Sequence, residues 1–382
     1  MVLFLHNRYR TTGGEERVVE DLMWLVREHL GEPAELLARD SAEHGAGSAA
    51  LGLLRGGLRS QDVARAVRLG GARVVHAHNL NPAFGWRALA AARAAGARVV
   101  LHLHQYRLVC AIGVCFTRGE DCTRCHGRNT LPGVRLNCRG SLPESVAYGA
   151  SLALWQQRLV EQADAVLLPS RFARERLRAL GAPLPWERVE VLPPPLRERV
   201  NAPGAGRSRE TSGAYALVVS RLAVEKGVDV AIDACRIAGM PLVVAGDGPE
   251  LAALRERAAG ADVRFAGRVG ERTLEELRAG ASIALAPSRS AETFGLAVAE
   301  AMAAGLPVAA SRVGALPELI EADALVAPGD AQALAAAIAR LAGDRAGGRR
   351  NRERVRAVCA PEVVAEGLRR AYGERGARQT RG

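Results

Sequence analysis

The strongest constraint on the fold is an alternation of short apolar runs with longer Ala-, Leu- and Arg-rich stretches, which passes through the chain twice. Val2–Leu5, Val74–His76, Val99–Leu103 and Ala165–Leu168 read as strands, with helices such as Glu15–His29 and Trp86–Ala95 between them. The pattern restarts at Ala216–Ser220 and continues through Leu242–Ala245, Val263–Ala266, Ile283–Ala286, Val308–Ala310 and Ala324–Val326. Apolar strands separated by helices predict parallel sheets built from βαβ units. Such sheets bind ligands at the carboxyl ends of their strands. Between the two series lies Leu192–Gly213, with Pro193-Pro194-Pro195, Pro203-Gly204, Gly206 and Gly213, which reads as a linker. A length of 382 residues suits two domains, each with its own core. The expectation is an α/β chain of two doubly wound domains with a cleft between them.

Charge narrows the function. Most of the net +11 lies in residues 345–382, which hold eleven arginines and four acids. Aromatic residues are only 4% and do not interleave with the basic ones as base-stacking surfaces require, so nucleic acid is not expected as a partner. Two readings of the basic stretch stand, a solvated helix in an arginine-biased chain or a peripheral contact with anionic membrane lipid. No uncharged apolar run reaches about eighteen residues, and Met1–Leu5 has no basic leader. A cytoplasmic protein is therefore expected, at most peripheral to the inner face of the membrane.

Three segments follow strands of the second series. In Pro287-Ser288-Arg289-Ser290-Ala291-Glu292-Thr293-Phe294-Gly295-Leu296, a loop carries Glu292 and a helix opens near Gly295, with Glu300 about a turn and a half inside it. Backbone N–H groups at a helix start receive polar or anionic ligands. A carboxylate deeper in the helix can accept both hydroxyls of a ribose. In Ser220-Arg221-Leu222-Ala223-Val224-Glu225-Lys226-Gly227, Arg221 and Lys226 flank the turn where a diphosphate would sit. Lys226 is the only lysine among 52 cationic residues, in a chain that writes arginine everywhere else. Gly246-Asp247-Gly248-Pro249-Glu250 follows a further strand and reads either as part of the base site or as a plain turn.

In this order these segments, with Gly314-Ala315-Leu316-Pro317-Glu318, resemble glycosyltransferase family 4 over nearly the whole chain. The resemblance implies the GT-B fold, two Rossmann-like domains facing across a cleft. It implies an acceptor-side domain at 1–196 and a nucleotide-sugar domain at 197–360, with a final helix at about 361–382 packing back on the first. It implies Arg221, Lys226, Glu292 and His104 as catalytic residues. Gly14, Ser220, Gly246, Asp247, Gly248, Phe294, Gly295 and Glu300 are implied as donor-binding residues, and the retaining reaction needs no cofactor. His104 falls in His102-Leu103-His104-Gln105, where the family commonly has His-Asn, and Ser170 matches a family serine near the cleft. Gly14 belongs to the glycine turn Thr12-Gly13-Gly14-Glu15-Glu16. Strand alternation puts His76 and His78 on one face, and likewise His102 and His104.

Five of the seven cysteines, Cys110, Cys115, Cys122, Cys125 and Cys138, fall in the loop-like stretch 110–140. Cys122-x2-Cys125 has metal-clip spacing, and thiols in a chain without a signal peptide point to metal or redox chemistry. A tetrahedral zinc takes four ligands and would order a segment of low apolar content. Spacing does not choose between Cys110 and Cys115, and His126 is another candidate. A cysteine-rich subset of the family implies Cys110, Cys122, Cys125 and Cys138. The function expected is retaining transfer of a sugar from a UDP- or GDP-linked donor to a glycan, lipid-linked or small-molecule acceptor, in bacterial surface polysaccharide or glycoconjugate synthesis. The alternatives are a sugar-nucleotide epimerase or phosphorylase on the same fold, and a binding module with a vestigial cleft.

Overall fold

The computed structural model describes residues 1–9, 13–43, 45–197 and 215–374. Thr12 and the part of the proposed linker from 198 to 213 lie outside the described residues, as does the end of the proposed last helix beyond 374.

The described chain divides into two compact units, each holding a six-stranded parallel sheet. One comprises Met1–Cys115, Cys122–Pro195 and the chain from Pro361; the other comprises Leu196–Ala360 with Phe116–Asp121. The first runs β1 (Val2–Arg8), α1 (Gly14–His29), β2 (Ala34–Asp40), α2 (Ala46–Arg55), α3 (Ser60–Gly70), β3 (Val74–Ala77), α4 (Gly85–Ala94) and β4 (Arg98–His102). After β4 come the short antiparallel hairpin β5 (Phe116–Thr117) and β6 (Glu120–Asp121), then α5 (Leu131–Arg135), α6 (Leu142–Glu161), β7 (Ala165–Leu168), α7 (Arg171–Ala179) and β8 (Val189–Val191). Its sheet order is β2-β1-β3-β4-β7-β8.

The second unit runs β9 (Tyr215–Val219), α8 (Val228–Ala238), β10 (Leu242–Ala245), α9 (Leu251–Arg257), β11 (Val263–Gly267), α10 (Glu271–Gly280), β12 (Ala281–Ala286) and α11 (Leu296–Ala303). It ends with β13 (Val308–Ser311), α12 (Leu316–Leu319), β14 (Leu325–Val326), α13 (Ala331–Leu341) and α14 (Arg345–Cys359), in the order β11-β10-β9-β12-β13-β14. The last helix, α15 (Pro361–Ala371), belongs to the first unit, where it packs on α1 and β7.

The apolar runs became strands because both faces of each sheet are covered. In β9, Ala216 and Val218 join the core under α8 and α13, while Leu217 joins the core under α11, α12 and α14. In each order the chain builds outward from one strand and then returns to its other side. Those reversals fall between β1 and β3 and between β9 and β12. A doubly wound sheet opens a crevice at such a reversal, beyond the carboxyl ends of the two strands. The predicted segments Ser220–Gly227 and Pro287–Gly295 leave the ends of β9 and β12.

Sequence patterning did not anticipate β2, β8, α2 or α3, and the stretch 110–140 contains α5 and a hairpin where only loop was expected.

Candidate functional site

In the second unit the loops after β9, β10 and β12 are pressed together. Gly246, with φ of 147°, lies so near β9 that a Cβ there would stand 1.8 Å from the Ser220 carbonyl oxygen. Gly314 makes a comparable approach, since a Cβ would stand 2.3 Å from the Glu292 backbone. Ala315 sits at φ −82° and donates its N–H to the Glu292 carbonyl at 2.8 Å. Arg289 and Ser290 donate backbone N–H groups to the Glu225 carbonyl, tying the β12 loop to the β9 loop. Arg289 grips Asp229 in bidentate fashion, Nη1 to Oδ1 at 2.7 Å and Nη2 to Oδ2 at 2.6 Å.

On this frame the ammonium of Lys226 donates to Glu292 Oε1 at 2.7 Å, and Ser288 Oγ donates to the same oxygen at 2.6 Å. Burial pushes the Glu292 carboxyl upward, but the charge and hydrogen bond of Lys226, the Ser288 hydroxyl and the charge of Arg221 outweigh it and hold the group below its ordinary value. Arg221, half-exposed, pairs with Glu225 four residues on. Ser220 Oγ is buried without a hydrogen-bond partner among the described residues. Gly295, at φ 95°, precedes α11, and Glu300 within that helix pairs with the buried Arg278. Phe294 is 7% exposed and belongs to the core, so only its backbone can face a ligand. Asp247 Oδ1 accepts the Gly248 N–H at 2.8 Å, and Gly246 donates to the Gly267 carbonyl.

The first unit has its own crevice at the ends of β1, β3 and β4. An open cavity of about 700 Å³ there is lined by Tyr9, Glu15, His78, His104, Trp86 and Trp155 among others. Gly14 is the first residue of α1 and follows the cap Gly13, whose N–H donates to Glu16 Oε2 at 2.8 Å. Glu15 Oε2 accepts from the Tyr9 hydroxyl at 2.8 Å and from Gln105 Nε2 at 3.0 Å. Four histidines fill the sheet side as two hydrogen-bonded pairs. His76 Nε2 meets His102 Nδ1 at 3.2 Å, and His78 Nδ1 meets His104 Nε2 at 2.8 Å. The pairs stack, with His76 on His78 at 4.5 Å and His102 on His104 at 4.3 Å between centroids. Tyr372, after α15, bonds His76 Nδ1 at 2.8 Å. Burial pushes all four imidazoles down, His76 to about 3, while Glu15 draws His104 partly back. At neutral pH the stack is uncharged. Ser170 caps α7, its Oγ accepting the Ala173 N–H at 3.0 Å.

All seven cysteines are free thiols. A hydrogen bond with Cys115 draws Cys110 down to about 6 against the effect of burial, helped by the N–H groups of Cys115, Ile112 and Gly113. Burial pushes Cys125 up to about 11, opposed by the Gly133 N–H and reinforced by Cys110, Cys122 and Cys138. Cys110, Cys122 and Cys138 thus act on Cys125 through their charges, whereas the His126 ring packs against Gly181. Among the described residues, the one set of three potential ligand groups with atoms within 4.8 Å of one another is His76, His78 and His102. The thiols are spaced more loosely.

The structure brings Arg221, Lys226 and Glu292 to one crevice and Gly14 and His104 to the other. Sequence reasoning missed Ser288, Glu225, Arg278, Glu15 and the pairing of the histidines. Ser288 and Glu15 lay inside quoted segments. Arg278 carried no signal, being one arginine among 51. Two arginines of α14 are engaged: Arg352 donates to the carbonyls of Ala303 and Ala304, and Arg354 pairs with Glu321 at 2.8 Å. No helix among the described residues is long and apolar enough to cross a membrane.

Two family profiles match the chain, one described as a glycosyl transferase 4-like domain over residues 10–195 and one as glycosyl transferases group 1 over 213–344. A GDP-mannose-dependent α-(1-6)-phosphatidylinositol dimannoside mannosyltransferase of Mycobacterium tuberculosis is 45% identical over 109 residues, 27% of this chain and 28% of the relative. The amylovoran biosynthesis glycosyltransferase AmsK of Erwinia amylovora is 35% identical over 202 residues, 48% of this chain and 49% of the relative. The matched stretches thus span half or less of these curated relatives. Among solved structures, Anabaena HepE in complex with UDP and glucose superposes with a TM-score of 0.63 at 19% identity, covering 97% of this chain and 98% of that one. Sucrose-phosphate synthase of Thermosynechococcus elongatus superposes at 0.68 and 19% identity with the same coverage. At such identity the likeness speaks for the fold, which is that of the GT-B proteins.

Proposed function

Because the chain belongs to the family-4 glycosyltransferases, we propose that it moves a hexose, with retention of configuration, from a UDP- or GDP-linked donor to a glycan or lipid-linked acceptor in bacterial surface-polysaccharide or glycoconjugate synthesis. The observation that carries this is the 2.7 Å contact of Lys226 with Glu292, which joins the ends of β9 and β12 at the reversal of the second sheet. An ammonium has three donors, and Glu292 takes one of them. The names of the relatives agree, one using GDP-mannose, one bound to UDP and glucose, one serving amylovoran biosynthesis.

In the reaction the bond from the anomeric carbon to the diphosphate breaks. The acceptor hydroxyl oxygen forms its bond to that carbon on the same face, and its proton passes to the departing phosphate oxygen. Arg221 and Lys226 stabilise the charge that gathers on the diphosphate. The Glu292 carboxylate, kept ionised, accepts from sugar hydroxyls beside the backbone of Phe294 and Gly295. Glu300, oriented by Arg278, accepts from the ribose. Ser220, Gly246, Asp247 and Gly248 border the nucleotide. Gly14 and His104, at the crevice of the first unit, are read as donor contacts from the resemblance to the family alone. No metal takes part in the transfer.

Thermal melts with UDP, GDP and ADP, then a panel of their sugars with and without acceptors, test the reading. A nucleotide at a hundred times its dissociation constant adds about 2.7 kcal/mol. The expected result is stabilisation by UDP or GDP and a product of retained configuration. Stabilisation by none, an inverted product, or epimerisation without any acceptor would overturn it.

The cysteine segment supports a structural zinc on Cys110, Cys122, Cys125 and Cys138. Four thiols in one segment would suit a tetrahedral ion, which would close a stretch with few apolar side chains of its own. Elemental analysis of purified protein is expected to find about one equivalent of zinc, and less than about a tenth would end the idea.

A further inference from the structure

We propose that His78 is a positioning residue that holds the His104 imidazole as the tautomer protonated on Nδ1. The inference concerns the proton on His104; its consequence for catalysis rests on the reading of His104 as a donor-sugar contact.

The register of β3 and β4 pairs His76 with Val100 and Ala77 with Leu101, which carries His78 to the level of His102 and diagonally beside His104. The planes of His78 and His104 differ by 13°, so Nδ1 of one and Nε2 of the other meet nearly edge to edge at 2.8 Å. One proton lies between two nitrogens, and it belongs to one ring or the other. If it belonged to His104 Nε2, the neutral His78 would carry its own proton on Nε2. That atom is buried and has no hydrogen-bond partner among the described residues. A buried N–H without an acceptor is among the rarest defects of folded proteins, and a bare acceptor is the more tolerated one. The proton is therefore on His78 Nδ1, and His78 Nε2 keeps only a lone pair. His104 Nε2 then accepts, and the neutral ring holds its proton on Nδ1. Burial keeps both rings neutral. Phe4 stacks on His78 at 5.7 Å and 10°, which fixes the plane of the donor ring.

The same rings do not suit a metal, although nitrogens of His76, His78 and His102 lie within 4.8 Å of one another. An ion lies in the plane of each imidazole that binds it. His76 stacks on His78 with planes only 26° apart, so an ion in one plane is out of the other. The cluster is organised for hydrogen bonding. With Nε2 turned to His78, His104 keeps its proton on Nδ1 as one defined species.

Nitrogen-15 correlation spectra of the ¹⁵N-histidine-labelled wild type at neutral pH, with the His104 signals assigned by their loss in His104→Gln, test the proposal. The expected signature is a protonated Nδ1 and a bare Nε2 on His104. In His78→Phe, which keeps a ring in the stack and removes the donor, His104 should move towards the Nε2-protonated form that a neutral histidine side chain free in water prefers. His78→Asn, whose amide N–H replaces Nδ1–H, should restore the wild-type signature. A protonated Nε2 on His104 in the wild type would overturn the proposal, and for that measurement His104→Gln serves only to assign the signals. An unchanged tautomer in a natively folded His78→Phe would also overturn it. In turnover, His78→Phe should lower kcat about tenfold with little change in the donor KM, and His78→Asn should recover most of it. If His104→Ala turns over like the wild type, the sugar-contact reading falls while the tautomer result stands.

Discussion

The two crevices share a topology and differ in chemistry. At the reversal of the second sheet the side chains are charged and paired, Lys226 with Glu292 and Arg221 with Glu225. At the reversal of the first the sheet side holds four stacked neutral imidazoles pushed down by burial, and Glu15, which also lines that crevice, bonds the Tyr9 hydroxyl and Gln105. A developing anion is stabilised best by fixed cations, whereas a sugar hydroxyl is held best by neutral donors and acceptors that attract no counterion. The difference shows that identical strand orders supply position only, and that side chains at the strand ends supply the function.

The comparison breaks most sharply at Lys226. Lys226→Ala should lower kcat on the order of 10²-fold, because it removes a cation from the leaving group. It also leaves Glu292 half-buried without its ammonium, so the carboxyl should titrate higher. Lys226→Arg preserves the charge but not the compact shape, and about a tenfold loss, roughly 1.4 kcal/mol, is expected. Nucleotide-sugar affinity should fall less than rate in both. Wild-type turnover in Lys226→Arg would separate the diphosphate from this residue.

The frame comes next. Gly246→Ala sets a Cβ against the Ser220 carbonyl at a φ that side chains rarely adopt. A loss of about 2 to 3 kcal/mol is expected in urea unfolding of the variant, with the slope unchanged.

The neutral crevice is tested by pH. A buried histidine whose folded pKa is depressed leaves the unfolded chain binding more protons. Its stabilising effect is complete above about 6.5 and is lost as pH falls towards the folded value, about 3 for His76. Each such histidine adds up to about 1.4 kcal/mol per pH unit to the slope in that window. Denaturant melts of His76→Phe between pH 6.5 and 4 should show a shallower decline than the wild type. An equal slope would mean that the stack is already protonated or already open. The smallest effect is expected for Arg350→Lys in α14, far from both crevices in sequence, where turnover should not change.

What the sequence disclosed follows physical lines. Strands buried on both faces, such as Leu242–Ala245, are apolar throughout and legible. The strand Ala34–Asp40 is an edge strand with most residues half-exposed, so Arg39 and Asp40 hid it. The strand Val189–Val191 is only three residues long and follows a 3₁₀ turn. At the site, Lys226 and Glu292 were legible because motifs mark strand ends. Their contact was not, because the residues are 66 apart and local spacing carries nothing over that distance. Alternation placed His76 with His78 and His102 with His104, yet the cross-strand pairs depend on register, which only the folded sheet reveals.

The hydrogen bond of Tyr372 to His76 has a consequence for the order in which the molecule is made. The sheet of the first unit is translated before the second unit, but one of its helices and the partner of a buried imidazole are translated after it. Domains ordinarily fold as they emerge, the N-terminal one first. Here the first unit stays unfinished until the second has been synthesised, with a strip of α1 and β7 exposed in the interval. A nascent chain stalled before residue 361 would carry that strip uncovered, and it is there that a chaperone would find it.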